Sequence, residues 1–154
     1  MNMPARRRGF SLVELVIVVV IVGLLAAIAI PRFSRGASGA SDSALAGDLA
    51  VLRNAIEMYA AEHNGTFPLA ADFADQLTQY SKLDGTTSAT PTGHPYGPYL
   101  HKVPMLKSGT YAGNDGIAEV TETPTAEVTT SGVGWLYNQT TGQIWANETD
   151  YLDR

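Results

Sequence analysis

Hydrophobic positions divide the chain into a continuous apolar segment near the N-terminus, an amphipathic segment, and a C-terminal part with short alternating runs. Residues 10–30 read FSLVELVIVVVIVGLLAAIAI, and Glu14 is the only charged side chain among them. As a helix, these 21 residues would span about 30 Å, the thickness of the hydrocarbon core of a bilayer. We therefore expect residues 10–33 to form a transmembrane helix, with the cluster from Arg6 to Arg8 on its cytoplasmic side.

The second part follows a short segment rich in glycine and serine. Residues 34–43 read SRGASGASDS, a composition that disfavours helix and predicts a flexible joint. Residues 44–64 then carry large side chains in a 4-3-4-3-4 spacing on one helix face, namely Leu45, Leu49, Leu52, Ile56, Tyr59 and His63. This spacing predicts an amphipathic helix that packs on a core, and Asn64-Gly65 supplies its C-terminal cap.

The third part is interpreted as a loop region followed by a small sheet. Residues 65–109 are predicted to be variable loop with one short helix, whose apolar face consists of Leu69, Phe73, Leu77 and Tyr80. Residues 110–147 are predicted to be β-sheet, and residues 148–154 an acidic tail.

Within the predicted sheet, the runs GIAEVTE and TAEVTT are β-prone, and the segment GWLYNQTTGQIWAN predicts a hairpin. In that hairpin Trp135 and Tyr137 pair with Ile144 and with Ala146 or Trp145. The predicted fold class is therefore α+β. It has a long N-terminal helix, half membrane-spanning and half amphipathic, packed on a small antiparallel sheet.

Composition removes several classes of function. The 154-residue chain has no cysteine, so it has neither a disulfide nor a thiolate nucleophile. Its formal net charge is -5, and loss of the first nine residues would leave 7 basic and 15 acidic side chains. An acidic domain of this kind offers no electrostatic surface for nucleic acid.

The charge at Glu14 separates three interpretations of the apolar segment. A plain signal anchor would tolerate Glu14 near one end, and an ordinary export signal would be cleaved after Ala29. In the third interpretation the basic leader is removed between Gly9 and Phe10, which exposes an amine. Because a carboxylate in a membrane helix usually marks a partner, that amine on a neighbouring subunit could pair with Glu14.

The third interpretation agrees with a family resemblance. The string Gly9-Phe10-Ser11-Leu12-Val13-Glu14-Leu15, after arginines and before an apolar run, resembles the processing site of the type IV pilin and type II secretion pseudopilin superfamily. The resemblance implies that residues 1–9 are a leader, that prepilin peptidase cleaves after Gly9 and methylates Phe10, and that Glu14 serves filament assembly. It also implies that Gly23 and Pro31 let the helix loosen, since both residues weaken a helix.

The segment GPYLHKVP, residues 97–104, resembles the corresponding part of the major pseudopilins of the G kind. The aspartate-proline-tryptophan-glycine continuation expected of them is replaced here by MLKSGTYAG. Major pseudopilins bind calcium in a C-terminal loop, so the resemblance suggests a calcium site, although their loop is not reproduced here residue by residue. The carboxylates that offer the oxygen ligands Ca²⁺ prefers are Asp115, Glu148, Asp150 and Asp153. The alternative for these carboxylates is a solvated acidic tail, with no cofactor bound.

No arrangement of catalytic residues is recognisable. His63, His94 and His101 lack metal-ligand spacing, and neither a nucleophile motif nor a phosphate-binding glycine loop occurs. We therefore expect a structural subunit and not an enzyme. One further motif, Glu62-His63-Asn64-Gly65-Thr66, matches an acidic bacterial glycosylation pattern, although a helix cap also explains Asn64.

The resemblance implies an inner-membrane, single-pass prepilin whose C-terminal domain lies in the periplasm and which enters a filament. Its expected partners are copies of itself in a helical homo-polymer, minor pilins or pseudopilins, prepilin peptidase and the inner-membrane assembly platform. A type II secretion pseudopilus is the favoured filament, and a type IV pilus for adhesion or motility is the alternative. The interpretation from another class is a secreted soluble binding domain, released by a conventional signal peptidase, with Trp135 and Trp145 as a ligand face.

Overall fold

The computed structural model describes residues 9–152, and for residues 29–38 it describes the helical backbone alone. The helices are α1 (Leu12–Glu62) and α2 (Phe73–Thr78), and the strands are β1 (Tyr80–Ser81), β2 (Thr87–Ser88), β3 (Gly116–Glu119), β4 (Val133–Asn138) and β5 (Gln143–Ala146). Short 3-10 turns occur at Ala70–Asp72 and Thr149–Tyr151. The chain divides between Ala40 and Ser41 into an N-terminal unit and a C-terminal unit, here called the globular unit, and the fold class is α+β as predicted.

Helix α1 is assigned without interruption through residues 34–43, where the composition predicts a joint. Gly23 and Pro31 also lie within the assigned helix. A helical backbone does not measure flexibility, so the joint and the loosening near Gly23 and Pro31 stay predictions. Within the described residues, no helix combines the length and the apolar character that crossing a membrane requires.

The C-terminal part of α1 carries the predicted core stripe. Five apolar residues and one histidine are each at most 4% exposed: Leu45, Leu49, Leu52, Ile56, Tyr59 and His63. The five apolar residues pack with Phe73 and Leu77 of α2 and with Trp135, Tyr137 and Ile144 of the β4–β5 hairpin. Burying six such side chains at helical spacing is what holds this half of the helix on the sheet.

The end of α1 is closed as the Asn64-Gly65 pair predicts. Asn64 has φ 55° and Gly65 has φ 80°, the left-handed conformation that ends many helices. The Gly65 amide donates to the Ala60 carbonyl at 2.8 Å, which satisfies one of the last helical acceptors. The chain then turns toward α2.

The predicted short helix is smaller than its apolar pattern suggests. Phe73 and Leu77 are buried in α2 as predicted, but Leu69 is 49% exposed and Tyr80 lies in β1. Helix α2 ends early because the Leu77 carbonyl accepts from the amides of Tyr99 and Leu100. Those bonds join the segment near residue 100 to α2.

The main sheet has the order β3-β4-β5 and is mixed, not purely antiparallel as predicted. The β4–β5 hairpin is antiparallel, and its register of Trp135 with Ala146 and Tyr137 with Ile144 confirms the predicted pairing. Strand β3, however, runs parallel to β4. Parallel neighbours need a crossover connection, and residues 120–132 supply one without a helix.

The crossover explains why the run TAEVTT is not a strand. The Asn147 side chain takes the place of a neighbouring strand, because its Oδ1 accepts from the Val128 amide at 2.8 Å and its Nδ2 donates to the Val128 carbonyl at 2.9 Å. Val128 and Val120 thereby pack over a second small core of Val133, Leu136, Trp145 and Leu152. Both faces of β4 are covered, and all six of its residues are buried.

Candidate processing and assembly site

The predicted cleavage site lies just before the first turn of α1. Gly9, Phe10 and Ser11 have no regular secondary structure, and the Phe10 side chain is 81% exposed. No heavy atom comes within 4 Å of the position that a Cβ would occupy on Gly9. The Gly9–Phe10 peptide bond is therefore open to a protease within the described part of the chain.

Glu14 takes part in the start of the helix. The Ser11 backbone amide donates to Glu14 Oε2 at 2.9 Å, and the Leu15 amide donates to the Ser11 carbonyl at 3.2 Å. Ser11 is the residue before the first helical position, and Glu14 is the third residue inside. This is the reciprocal half of a capping box, in which an acid satisfies a backbone amide at the helix start.

The S-x-x-E spacing of Ser11 and Glu14 was readable in the sequence as a helix-start signal, but the charge at Glu14 suggested only an assembly role. The cap leaves that role open, because a carboxylate has two oxygens and about four lone-pair sites. Glu14 is exposed, so its remaining acceptor capacity can meet a donor from outside the chain.

The helix that follows presents apolar side chains in every direction. Large aliphatic residues from Leu12 to Ile28 are 50% exposed or more, including Val16 on one side and Val18 and Ile21 on others. A helix that is apolar all round is stable only when lipid or other helices cover it. Glu14 is the single ionisable group described in this segment.

Comparison with known proteins agrees with this geometry. A family described as "Prokaryotic N-terminal methylation motif" matches residues 4–30, the range that holds Gly9, Phe10 and Glu14. Type II secretion system core protein G of Klebsiella pneumoniae is 30% identical over 102 residues, covering 65% of this chain and 68% of that protein. The chain belongs to the type II secretion system core protein G family.

Other relatives extend the comparison. The core protein G of Aeromonas hydrophila is 28% identical over 100 residues, 65% of this chain and 66% of that protein. The type IV major alpha-pilin of Moraxella bovis is 33% identical over 86 residues, 56% of this chain and 52% of that protein. The chain spans slightly less than two thirds of several of these relatives, for example 64% of the Dickeya chrysanthemi protein. No solved structure matches the chain.

Membership of this family agrees with the prediction of a structural subunit that is not an enzyme. The structure places the three histidines in the C-terminal unit. His63 is buried, its Nδ1 donates to the Tyr59 carbonyl at 2.8 Å, and its Nε2 accepts from Ser81 Oγ at 3.1 Å. His94 and His101 are in the loop region, where His94 Nδ1 bonds the Thr92 carbonyl.

The described calcium candidates have separate partners. Asp115 lies 3.7 Å from the Lys102 ammonium, and Glu148 Oε2 accepts from the Thr110 amide at 3.2 Å. Asp150 belongs to the turn Thr149–Tyr151, and Asp153 lies outside the described residues. Over residues 9–152 no three histidine or acidic side chains gather at a distance that would hold a metal ion. The calcium site therefore stays a prediction.

Proposed function

We propose that the chain is a structural subunit of a type II secretion pseudopilus, of the major kind. Prepilin peptidase cleaves it between Gly9 and Phe10 and methylates the new amine of Phe10. Its apolar helix first anchors it in the bacterial inner membrane as a single-pass protein with the globular unit in the periplasm. The same helix then packs with those of other subunits on the inner-membrane assembly platform.

The exposed Gly9–Phe10 bond directly before a capped, all-round apolar helix carries this proposal. Cleavage there places a positively charged amine four residues from Glu14, and the Glu14 carboxylate keeps acceptor capacity beyond its bond to Ser11. In an apolar filament interior, a charge pair between the Phe10 amine of one copy and Glu14 of the next would avoid an unpaired buried carboxylate. Minor pseudopilins with the same segment would join by the same contact.

A type IV pilus is the second candidate, favoured by the 33% identity to the Moraxella bovis pilin. Deleting the chain from its host separates the two. The pseudopilus proposal predicts loss of extracellular enzymes with surface pili unchanged. Loss of pili with secretion intact would assign the chain to a pilus instead.

Variants at Glu14 test the assembly step in the same host. Glu14→Gln keeps a side-chain oxygen that can accept the Ser11 amide but removes the charge. We expect Glu14→Gln and Glu14→Ala to be processed at Gly9, yet to fail to restore secretion, while the exposed control Glu57→Ala restores it. Restored secretion by Glu14→Gln would show that the cap, and not the charge, is what assembly uses.

A further inference from the structure

Asn-x-Thr triplets occur three times in the chain, at Asn64, Asn138 and Asn147. Such triplets are acceptors for N-linked glycans when the asparagine is accessible. The structure distinguishes the three sharply, because it uses two of the asparagine side chains inside the fold and leaves the third outside.

The amides of Asn138 and Asn147 are committed to the fold. Asn147 is fully buried, and its Nδ2 donates to the carbonyls of Val128 at 2.9 Å and Val133 at 3.1 Å. Asn138 is 5% exposed, and its Nδ2 donates to the Thr121 carbonyl at 3.0 Å. A transferase could reach neither Nδ2 atom without breaking hydrogen bonds to the crossover of residues 120–132.

Asn64 is the opposite case. It protrudes at the end of α1, where Asn64, Gly65 and Thr66 are all exposed, and no hydrogen bond within the described residues holds its side-chain amide. Its role in the helix end belongs to the backbone, through φ 55° at Asn64 and the Gly65 amide bonded to Ala60. The side-chain nitrogen is therefore free for chemistry that leaves the cap in place.

Residue type before the triplet also singles out Asn64. Glu62 lies two positions ahead and is exposed, whereas Leu136 and Trp145 hold the equivalent positions before Asn138 and Asn147 and are buried. The Glu62 carboxylate accepts from Tyr99 Oη at 2.6 Å, which keeps it at the surface beside the helix end. An acid at this position is the feature of the bacterial glycosylation pattern.

We propose that Asn64 is an N-glycosylation site on the surface of the globular unit. The donor is an oligosaccharide linked to a lipid diphosphate. The Asn64 Nδ2 forms a bond to the anomeric carbon of the first sugar, the bond from that carbon to the diphosphate oxygen breaks, and the lipid diphosphate leaves with the electron pair. Nδ2 gives one proton to a base of the transferase, and no group is oxidised or reduced.

In a cell this modification rests on the proposed function, because it needs the globular unit on the periplasmic side. The test is therefore done in detergent with the purified full-length chain, a lipid diphosphate-linked oligosaccharide and a transferase that requires only Asn-x-Thr. We expect one glycan mass on the native chain, located by peptide mass spectrometry at Asn64. After denaturation of the chain, Asn138 and Asn147 should become modified as well.

Two variants complete the experiment. Asn64→Asp has nearly the same shape and tolerates the left-handed backbone but lacks Nδ2, so the native chain should lose its glycan mass. The native Glu62→Gln chain should still gain the glycan mass with the transferase that requires only Asn-x-Thr. With a bacterial transferase that also requires the upstream acid, the same variant should gain no glycan mass. An unmodified native chain, with the transferase active on a short acceptor peptide, would overturn the proposal, as would modification at Asn138 or Asn147 in the native chain.

Discussion

At the scale of single residues, Tyr137 shows how burial sets acid–base behaviour. Its side chain is fully buried against Phe73, and its hydroxyl donates to the Pro68 carbonyl at 3.0 Å. Burial, and then the neighbouring Tyr59, raise the pKa of Tyr137 above its ordinary value of 10.0. Burial therefore disfavours the ionised phenolate.

This shift predicts an alkaline loss of stability. In the unfolded chain Tyr137 loses its proton near pH 10, whereas in the folded chain it keeps that proton to a higher pH. The contribution of Tyr137 to the free energy of unfolding is therefore fully present below pH 10 and is lost as the pH rises toward the folded pKa. In Tyr137→Phe the alkaline fall in the free energy of unfolding should be smaller. At pH 7 the free energy of unfolding of this variant should be about 1–2 kcal/mol lower than that of the original chain, because the Pro68 carbonyl is left without its donor. Urea unfolding at pH 7 and above pH 10 measures both effects, and an identical alkaline fall in the two proteins would contradict the assignment to Tyr137.

At the scale of elements, the sequence predicts what depends on local pattern. The spacing from Leu45 to His63 and the hairpin around Trp135 are recovered because each rests on a period within one element or one turn. The parallel β3–β4 pairing is missed because it joins strands separated by the crossover of residues 120–132, and no local period encodes which strands become neighbours. Tyr80 is a second example, because its spacing from Leu77 placed it on a helix face although α2 ends at Thr78 and Tyr80 lies in β1.

Gly134 in β4 gives a test of that packing. A Cβ there would overlap the Asn114 carbonyl group, 2.8 Å from its carbon, and this backbone cannot move aside like a side chain. Gly134→Ala should therefore lower the free energy of unfolding by about 1–3 kcal/mol, the usual cost of overpacking. The urea midpoint reports the change.

Gly47 is the matched control for Gly134. It lies exposed in α1 with no heavy atom within 4 Å of a Cβ position. Gly47→Ala should raise the free energy of unfolding by up to about 1 kcal/mol, because alanine favours helix over glycine. If both variants shifted the midpoint in the same direction, the close approach of β4 to Asn114 would not be the cause.

At the scale of the whole molecule, the signals of the N-terminal segment lie in residues that are close together in the sequence. Gly9, Phe10 and Glu14 form a linear motif, and its context of arginines before and apolar residues after is visible without a fold. The helix cap at Ser11 needed only the same short string. Ligand sites assembled from distant residues, such as the calcium candidates Asp115 and Glu148, are not specified by any such string.

The globular unit and the N-terminal part of α1 differ in how their apolar side chains are buried. The globular unit closes its own core with the residues of α1, α2 and the β4–β5 hairpin. The side chains from Leu12 to Ile28 have no such partner within the described chain and stay exposed. Under the proposed function, the membrane and then the other subunits of the filament cover these side chains.

The mass of the mature N-terminus tests the central claim most directly. The chain is purified from the membranes of its host, and its N-terminal peptide is identified by mass spectrometry. The account predicts that the peptide begins at Phe10 and carries one methyl group on its amine. A mature chain beginning at Ile30, or one that retains residues 1–9, would contradict it.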